Sequence, residues 1–102
     1  VALSYRDILL ALGVIPSPES GLPRLGFECC GRIVQAGPQV SGLAAGDDVV
    51  ALGTGCLATS ISVPADLVRP KPRNIDKLDA VTLPTAFVTA TYALEELARL
   101  RP

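Results

Sequence analysis

Residues that could carry chemistry are few in this sequence. The chain has no histidine, so a serine or cysteine hydrolase of the usual kind would lack a proton acceptor. Glu28 lies among apolar residues, and no neighbour in the sequence could complete an acid and base pair with it. Because a buried carboxylate must be hydrogen-bonded, we expect Glu28 to have a structural role, accepting from backbone amides at its turn.

The three cysteines do not have the pattern of a metal site or of a disulfide framework. Cys29 and Cys30 are adjacent, and Cys56 makes the number odd, which is typical of a reducing compartment. A structural zinc ion needs four ligands and a catalytic one usually three, drawn from Cys, His and carboxylate side chains. Since histidine is absent, we predict no metal and expect the cysteines to pack as small apolar residues.

One glycine-rich run imitates a nucleotide site. Residues 53–58 match G-x-G-x-x-A, and Asp76 follows about 20 residues later. Such a fingerprint binds pyrophosphate only if its last positions open a helix whose amides face the phosphates. Residues 59–64 instead alternate and contain β-branched side chains, which predicts a strand. We therefore interpret the run as a hairpin connection.

Composition limits the partners. The 102 residues make one small domain or part of a larger one. They are 49% hydrophobic but only 4% aromatic, which indicates an aliphatic core. A net charge of −1 gives no basic surface for nucleic acid. No apolar run approaches the length of a membrane span, and no signal peptide opens the chain, so we predict a cytoplasmic protein with no membrane partner.

Local patterns predict the elements that must position any site. Two β-favouring runs separated by glycines predict a strand, a turn and a strand. A capping-box pattern at Ser4 and Asp7 predicts a short helix that ends at Gly13. The proline-rich residues 16–23 predict a loop. The predicted strands cover residues 32–35 and 48–52, and the predicted long helices cover residues 5–12 and 85–100.

The C-terminal part is predicted to be helical. Asp76 is expected to cap a short helix, and Glu95 and Arg99 are expected to pair on the polar face of the long one. The opposite face has apolar residues at helical spacing, which predicts that it is buried. These residues are Phe87, Ala90, Leu94, Leu97 and Ala98.

Several separated motifs together resemble a known family. The runs GFECCGRIV at residues 26–34 and VSGLAAGDDV at residues 40–49 resemble the N-terminal catalytic domain of the medium-chain dehydrogenase/reductase superfamily, whose core is a GroES-like β-barrel. With the flanking residues 3–9, 64–68 and 83–94, the likeness narrows to the enoyl reductase domain of a modular polyketide synthase.

The resemblance implies a β-rich α+β fold. This is a GroES-like, partly open β-barrel with a short N-terminal helix and with C-terminal helices that lead to a Rossmann domain absent from the chain. Residues 1–102 would be a substrate and catalytic domain that lacks its first strand and the following cofactor domain. Phe27 stands where the zinc-dependent branch has histidine, which implies a zinc-less member. A mutual ion pair of Arg6 and Asp7, or a network of ion pairs that includes them, is expected to orient the first helix.

By the same resemblance, the parent protein is an NADPH-dependent enoyl reductase. It would reduce an α,β-unsaturated acyl thioester on an acyl carrier protein during polyketide or fatty-acid-like chain elongation, beside neighbouring synthase domains. The absent Rossmann domain would hold most of the NADPH, so this domain alone is expected to be inactive. Two alternatives stay open: a free-standing zinc-less quinone or alkenal oxidoreductase, and a non-catalytic GroES-like interaction module.

The resemblance also assigns site residues. Tyr5 matches a tyrosine that faces the substrate α-carbon, which makes it the candidate catalytic residue, either as a proton donor or as a determinant of the product configuration. Thr89 matches a threonine near the nicotinamide, and Ser4 stands where the family has asparagine, so both are candidate cofactor-binding residues. From the residues alone, Tyr5 could equally pack on the barrel, and Thr89 could bond back within its own helix.

Overall fold

An antiparallel sheet of three strands forms the centre of the molecule. The computed structural model describes residues 1–17 and 21–101. The strands are β1 (Glu28–Arg32), β2 (Asp48–Leu52) and β3 (Val68–Pro70). They lie in this order across the sheet, and Ala2 adds a single antiparallel bridge to the first residue of β1.

β2 confirms the second predicted strand, but the first was predicted in the wrong place. The sequence favours a strand at residues 32–35, whereas β1 ends at Arg32. All five residues of β1 pair in turn with the five residues of β2. The turn then closes as the Gly46 amide donates to the Ile33 carbonyl at 2.8 Å. Pairing with β2 therefore outweighs the β propensity of the residues that follow β1.

The buried side of the sheet is small and aliphatic. Val49, Ala51 and Val68 are buried there and, along β2, alternate with more exposed residues, as expected for strands with one covered face. Over this face lies an open recess of about 810 Å³, in agreement with the partly open barrel implied by the resemblance. Partly buried side chains complete the cluster: Cys29, Ile33, Leu43 and Val63.

One helix precedes the sheet. This helix, α1 (Tyr5–Ala11), begins with the predicted capping box of Ser4 and Asp7. Gly13 follows it with a φ of 68°, a left-handed conformation that glycine adopts without strain. The first predicted helix is therefore confirmed.

Residues 59–64 do not form the predicted strand. Within the described ranges no strand pairs with them, and an alternating pattern without a partner cannot build a ladder. They lead instead to a 3₁₀ turn (Ala65–Leu67) before β3. Of the predicted proline loop at 16–23, residues 18–20 lie outside the described residues, and the rest is neither helix nor strand.

Two helices follow the sheet. Asp76 caps α2 (Lys77–Ala80) as predicted, accepting a backbone amide in the first turn at 2.8 Å. α3 (Leu83–Thr91) begins before the predicted position, because Pro84 fits the first turn of a helix. It continues into a π-helical segment (Tyr92–Leu97). No described helix is long and apolar enough to cross a membrane.

The predicted apolar face of the C-terminal helix is not buried. All of residues 85–100 are exposed, with 64% of Phe87 and 66% of Leu97 accessible. Within the described chain, α3 contacts β2, but only its first two residues are half-buried. The predicted pair of Glu95 and Arg99 is absent from the described residues, because Arg99 has a φ of 54° and lies beyond the helical turns.

Candidate active site

Residues 26–28, which we call the 26–28 junction, connect the helices to the sheet. Gly26 is buried and has a φ of 83°, and its carbonyl accepts from the amides of Gly55 and Cys56, each at 3.0 Å. A Cβ atom at Gly26 would lie 2.7 Å from the Leu57 nitrogen. Glycine is therefore required on both conformational and steric grounds, and the junction is held against the loop that follows β2.

Asp7 fixes the start of α1 to this junction. Only 3% of Asp7 is exposed. Its Oδ1 accepts from the Gly26 amide at 2.6 Å, and its Oδ2 accepts from the Ser4 amide at 2.8 Å and the Ser4 hydroxyl at 3.0 Å. Burial by itself would raise the pKa of Asp7, but these bonds to backbone amides outweigh it and lower the pKa. Asp7 is therefore an ionised anchor for the helix.

Arg6 ties the same helix to the junction by a different contact. Its guanidinium lies 4.2 Å from the centroid of the Phe27 ring, a cation–π arrangement. No ion pair joins Arg6 to Asp7 among the described residues. The expected mutual ion pair is therefore wrong, because the Asp7 oxygens accept from two backbone amides and from the Ser4 hydroxyl.

Glu28 fixes the C-terminal helix to the other end of the junction. It is 8% exposed, and its Oε2 accepts from the Thr85 amide in the first turn of α3 at 2.9 Å. The structural role expected of Glu28 is thus confirmed. The amide it binds, however, lies 57 residues further along the chain, not in its own turn.

The three candidate site residues are all exposed on elements anchored in this way. Tyr5, 72% exposed, is the first residue of α1, and Ser4 caps that helix. Thr89 lies on α3, one helical turn after the amide that Glu28 binds. None of the three lines the open recess of the sheet. These residues were predicted from the sequence, but the distant amide bonds that hold their helices in place were not. The available signal was Glu28, an acidic residue in an apolar run that must find a hydrogen-bond donor.

The glycine-rich loop cannot cradle a pyrophosphate in this arrangement. The amides of Gly53, Gly55, Cys56 and Leu57 all donate to carbonyls of residues 25–27 at 3.0 Å. No helix begins directly at the end of the loop, since residues 59–64 are not helical, so the free amides and the helix dipole that a phosphate needs are both lacking there.

Comparison with known proteins identifies the family. Residues 1–73 match the family model of the alcohol dehydrogenase GroES-like domain. The chain belongs to this family. The match spans α1, the 26–28 junction and all three strands of the sheet, so the GroES-like fold expected from the sequence is confirmed.

Relatives of this GroES-like domain are parts of larger enzymes. It is 37% identical over 100 residues to a phenolphthiocerol/phthiocerol polyketide synthase of Mycobacterium tuberculosis, covering 98% of this chain but 5% of that protein. It also matches the crystal structures of two enoyl reductases, CurK and, in its apo form, JamJ. The identities are 37% and 32%, the TM-scores are 0.82 and 0.84, and the matches cover 98% and 99% of this chain and 33% of each solved chain.

The cysteines of the GroES-like domain are free thiols. Burial raises the pKa of Cys56 to about 12, with a smaller contribution from the neighbouring Cys29 thiol. The Cys56 thiol donates a hydrogen bond to the Gly53 carbonyl at 3.1 Å. Burial also raises the pKa of Cys30. Thiols with raised pKa values are poor nucleophiles, and within the described ranges no three potential metal ligands come together.

An ion-pair cluster ties α2 to the sheet of the domain. Asp48 in β2 lies 3.0 Å from both Arg32 and Lys77. Hydrogen bonds from Arg32 and then Lys77 lower the pKa of Asp48 to about 2. Arg32 and Lys77 are largely exposed and Asp48 is partly exposed, so the ion pairs of this cluster weaken as the salt concentration rises.

Proposed function

We propose that this domain forms one wall of the active site of an enoyl reductase that reduces an α,β-unsaturated acyl thioester with NADPH. The likeness to polyketide synthases and enoyl reductases supports the reaction class. The observation that carries the proposal is the anchoring of both candidate helices to one junction. Asp7 holds the helix of Tyr5, and Glu28 holds the helix of Thr89.

The proposal extends to the substrate carrier and to the setting. An acyl carrier protein would present the thioester, and the partners would be neighbouring synthase domains in the cytoplasm. The chain spans about a twentieth of its polyketide synthase relative and a third of each solved enoyl reductase. A cleft between this domain and a separate nucleotide-binding domain is consistent with the general tendency of ligands to bind where domains meet.

The described residues fit only the nicotinamide end of the cofactor. The Ser4 hydroxyl donates to Asp7, and its oxygen takes part in the capping box. A hydroxyl oxygen has two lone pairs, so the second could accept from a carboxamide NH₂ group. The Thr89 hydroxyl is exposed and can donate or accept. When bound, NADPH supplies the hydride that reduces the β-carbon. The pyrophosphate would be held by another domain, since the amides of the glycine-rich loop are already bonded.

Tyr5 is the proposed proton donor to the α-carbon. A phenol hydroxyl is a hydrogen-bond donor and can give its proton to a developing enolate in a water-poor cleft. Tyr5 is the first residue of α1, where Asp7 and the cation–π contact of Arg6 hold the backbone still. Its ring is exposed on this domain and is therefore accessible to a substrate.

The full-length protein should oxidise NADPH in the presence of a crotonyl thioester. We expect Tyr5→Phe to slow turnover by about 10²-fold, the usual size of a lost general acid, or to change the product configuration. Tyr92→Phe is the matched control, because it removes the same hydroxyl from an exposed tyrosine on the π-helical segment, and it should leave the rate unchanged.

Three outcomes would count against parts of this proposal. An unchanged rate and configuration in Tyr5→Phe would remove Tyr5 from the site. Cofactor binding without turnover would favour a non-catalytic module. Turnover of free quinones or alkenals, with none of acyl thioesters, would favour a free-standing reductase.

A further inference from the structure

We infer that Glu28 is a positioning residue that acts through α3 on Thr89. This inference rests on the proposed function, in which Thr89 meets the nicotinamide. Glu28 is almost fully buried, and its Oε2 accepts from the Thr85 amide at 2.9 Å. The bond joins the first residue of β1 to the first turn of α3, so the sheet directly sets where that helix starts.

The start of α3 has no cap of its own. The first amides of a helix have no partner within it and need one from outside. Thr82 occupies the N-cap position, but it has helical backbone angles and no side-chain cap bond, and its hydroxyl donates backwards to the Asp79 carbonyl at 2.8 Å. Pro84 has no amide to offer. The Thr85 amide is therefore the one that a capping oxygen must reach, and Glu28 reaches it.

The negative charge of Glu28 and the weak packing of α3 both increase the effect of this hydrogen bond on the position of the helix. A carboxylate at a helix N-terminus interacts favourably with the positive end of the helix dipole. No residue of α3 is buried within the described chain, so few apolar contacts could hold the helix if the Glu28 bond were lost. The orientation of α3 therefore depends on Glu28.

A displacement of α3 at Thr85 would also displace Thr89. Four residues of an α-helix advance about 6 Å and complete slightly more than one turn, which places Thr89 on the same face as Thr85. A displacement of about 1 Å at a group that aligns a reactant can slow a reaction by about 10²-fold. Loss of the cap should therefore reduce catalysis without touching any reacting atom.

The first test is a double-mutant cycle in the full-length protein, with NADPH and a crotonyl thioester as probes. We expect Glu28→Ala to lower kcat by about tenfold or more, within the range for misplaced groups, while Glu28→Gln, which keeps an acceptor oxygen, largely restores it. In a Thr89→Ala background the same Glu28→Ala change should have little further effect, because the two act in series. Additive losses would overturn the inference.

The second test measures the stability of the start of α3 by hydrogen exchange and does not depend on enzymatic activity. Hydrogen exchange of residues 85–91 should be faster in Glu28→Ala than in the wild type. Asp76→Ala is the matched control: it removes an equivalent cap bond from α2 and should change neither this exchange nor kcat. Unchanged exchange in Glu28→Ala, or an equal loss of kcat in Asp76→Ala, would overturn the inference.

The two tests separate this inference from the proposed function. If the wild type does not oxidise NADPH, the reductase proposal fails, and the exchange of residues 85–91 alone decides whether Glu28 fixes the start of α3. Should Glu28→Ala fail to fold, Glu28→Asp takes its place, because it keeps the charge but shortens the reach to the Thr85 amide. Exchange and kcat equal to those of the wild type in that variant would overturn the inference.

Discussion

Asp7→Asn is expected to loosen the start of α1 from the 26–28 junction. The Asp7 carboxylate oxygens accept from the Gly26 amide at 2.6 Å and the Ser4 amide at 2.8 Å. Asparagine has a single side-chain oxygen, so its NH₂ group would face one of these amides and leave that donor unpaired. Losing a bond to a charged acceptor and burying a free donor together destabilise the contact by about 3 kcal/mol. That corresponds to a roughly 10²-fold increase in local opening.

Hydrogen exchange measured by mass spectrometry on the full-length protein would show this change. Peptides covering residues 4–13 and 24–30 should exchange up to about 10²-fold faster at neutral pH in Asp7→Asn. Asp66→Asn is the control, because Asp66 is exposed in the 3₁₀ turn and its side chain makes no hydrogen bond among the described residues. It should leave the exchange of both peptides unchanged.

The same variant has a defined pH dependence. The pKa of Asp7 is lower in the folded protein than its ordinary value of 3.8. Its stabilising effect is therefore complete above that ordinary value and is lost as the pH falls through the lowered folded value. The difference in protection between wild type and Asp7→Asn should close on acidification. Equal protection at neutral pH, or a difference that persists in strong acid, would refute the role given to this carboxylate.

Two further predictions concern the junction and its neighbouring thiol. Gly26→Ala should prevent stable folding, because its Cβ would lie 2.7 Å from the Leu57 nitrogen. Gly42→Ala is the control: Gly42 has a φ of 76° and no atom within 4 Å of a Cβ, so this variant should lose only the left-handed penalty of about 1–2 kcal/mol. Equal losses of thermal stability in the two variants would contradict the steric argument for Gly26. Cys56, with its pKa raised to about 12, should resist iodoacetamide in the folded protein and react after denaturation. Rapid labelling of Cys56 in the folded protein would count against its burial.

Elements with strong local signals were predictable from the sequence. The capping box at Ser4 and the Asp76 cap both act within a few residues, so their helices could be located. β1 was misplaced because Glu28 and Gly31 are residue types with a low preference for strands. They lie in a strand because they pair with β2. Residues 59–64 are the opposite case: their sequence pattern favours a strand, but no strand pairs with them in the described chain.

The candidate site was predictable only in part. Tyr5, Ser4 and Thr89 came from the resemblance, and their roles remain predictions. Glu28 could be assigned a structural role because an acidic residue in an apolar run needs a donor. Its actual donor, the Thr85 amide, carries no signal in the sequence, since a backbone amide is the same at every residue and only the fold brings these two together.

The distant anchoring of the two helices has a consequence for how the chain folds. Asp7 is synthesised 19 residues before the amide it binds, and Glu28 57 residues before its own. Contacts of such high sequence separation form slowly, because a long loop must close before they are made. The Asp7 contact spans a separation similar to that of the β1–β2 pairs, which join Glu28 to Leu52 and Arg32 to Asp48. We therefore expect α1 to dock at about the stage when β1 pairs with β2, and α3 to dock last. Raising helix propensity alone would then do little to speed folding.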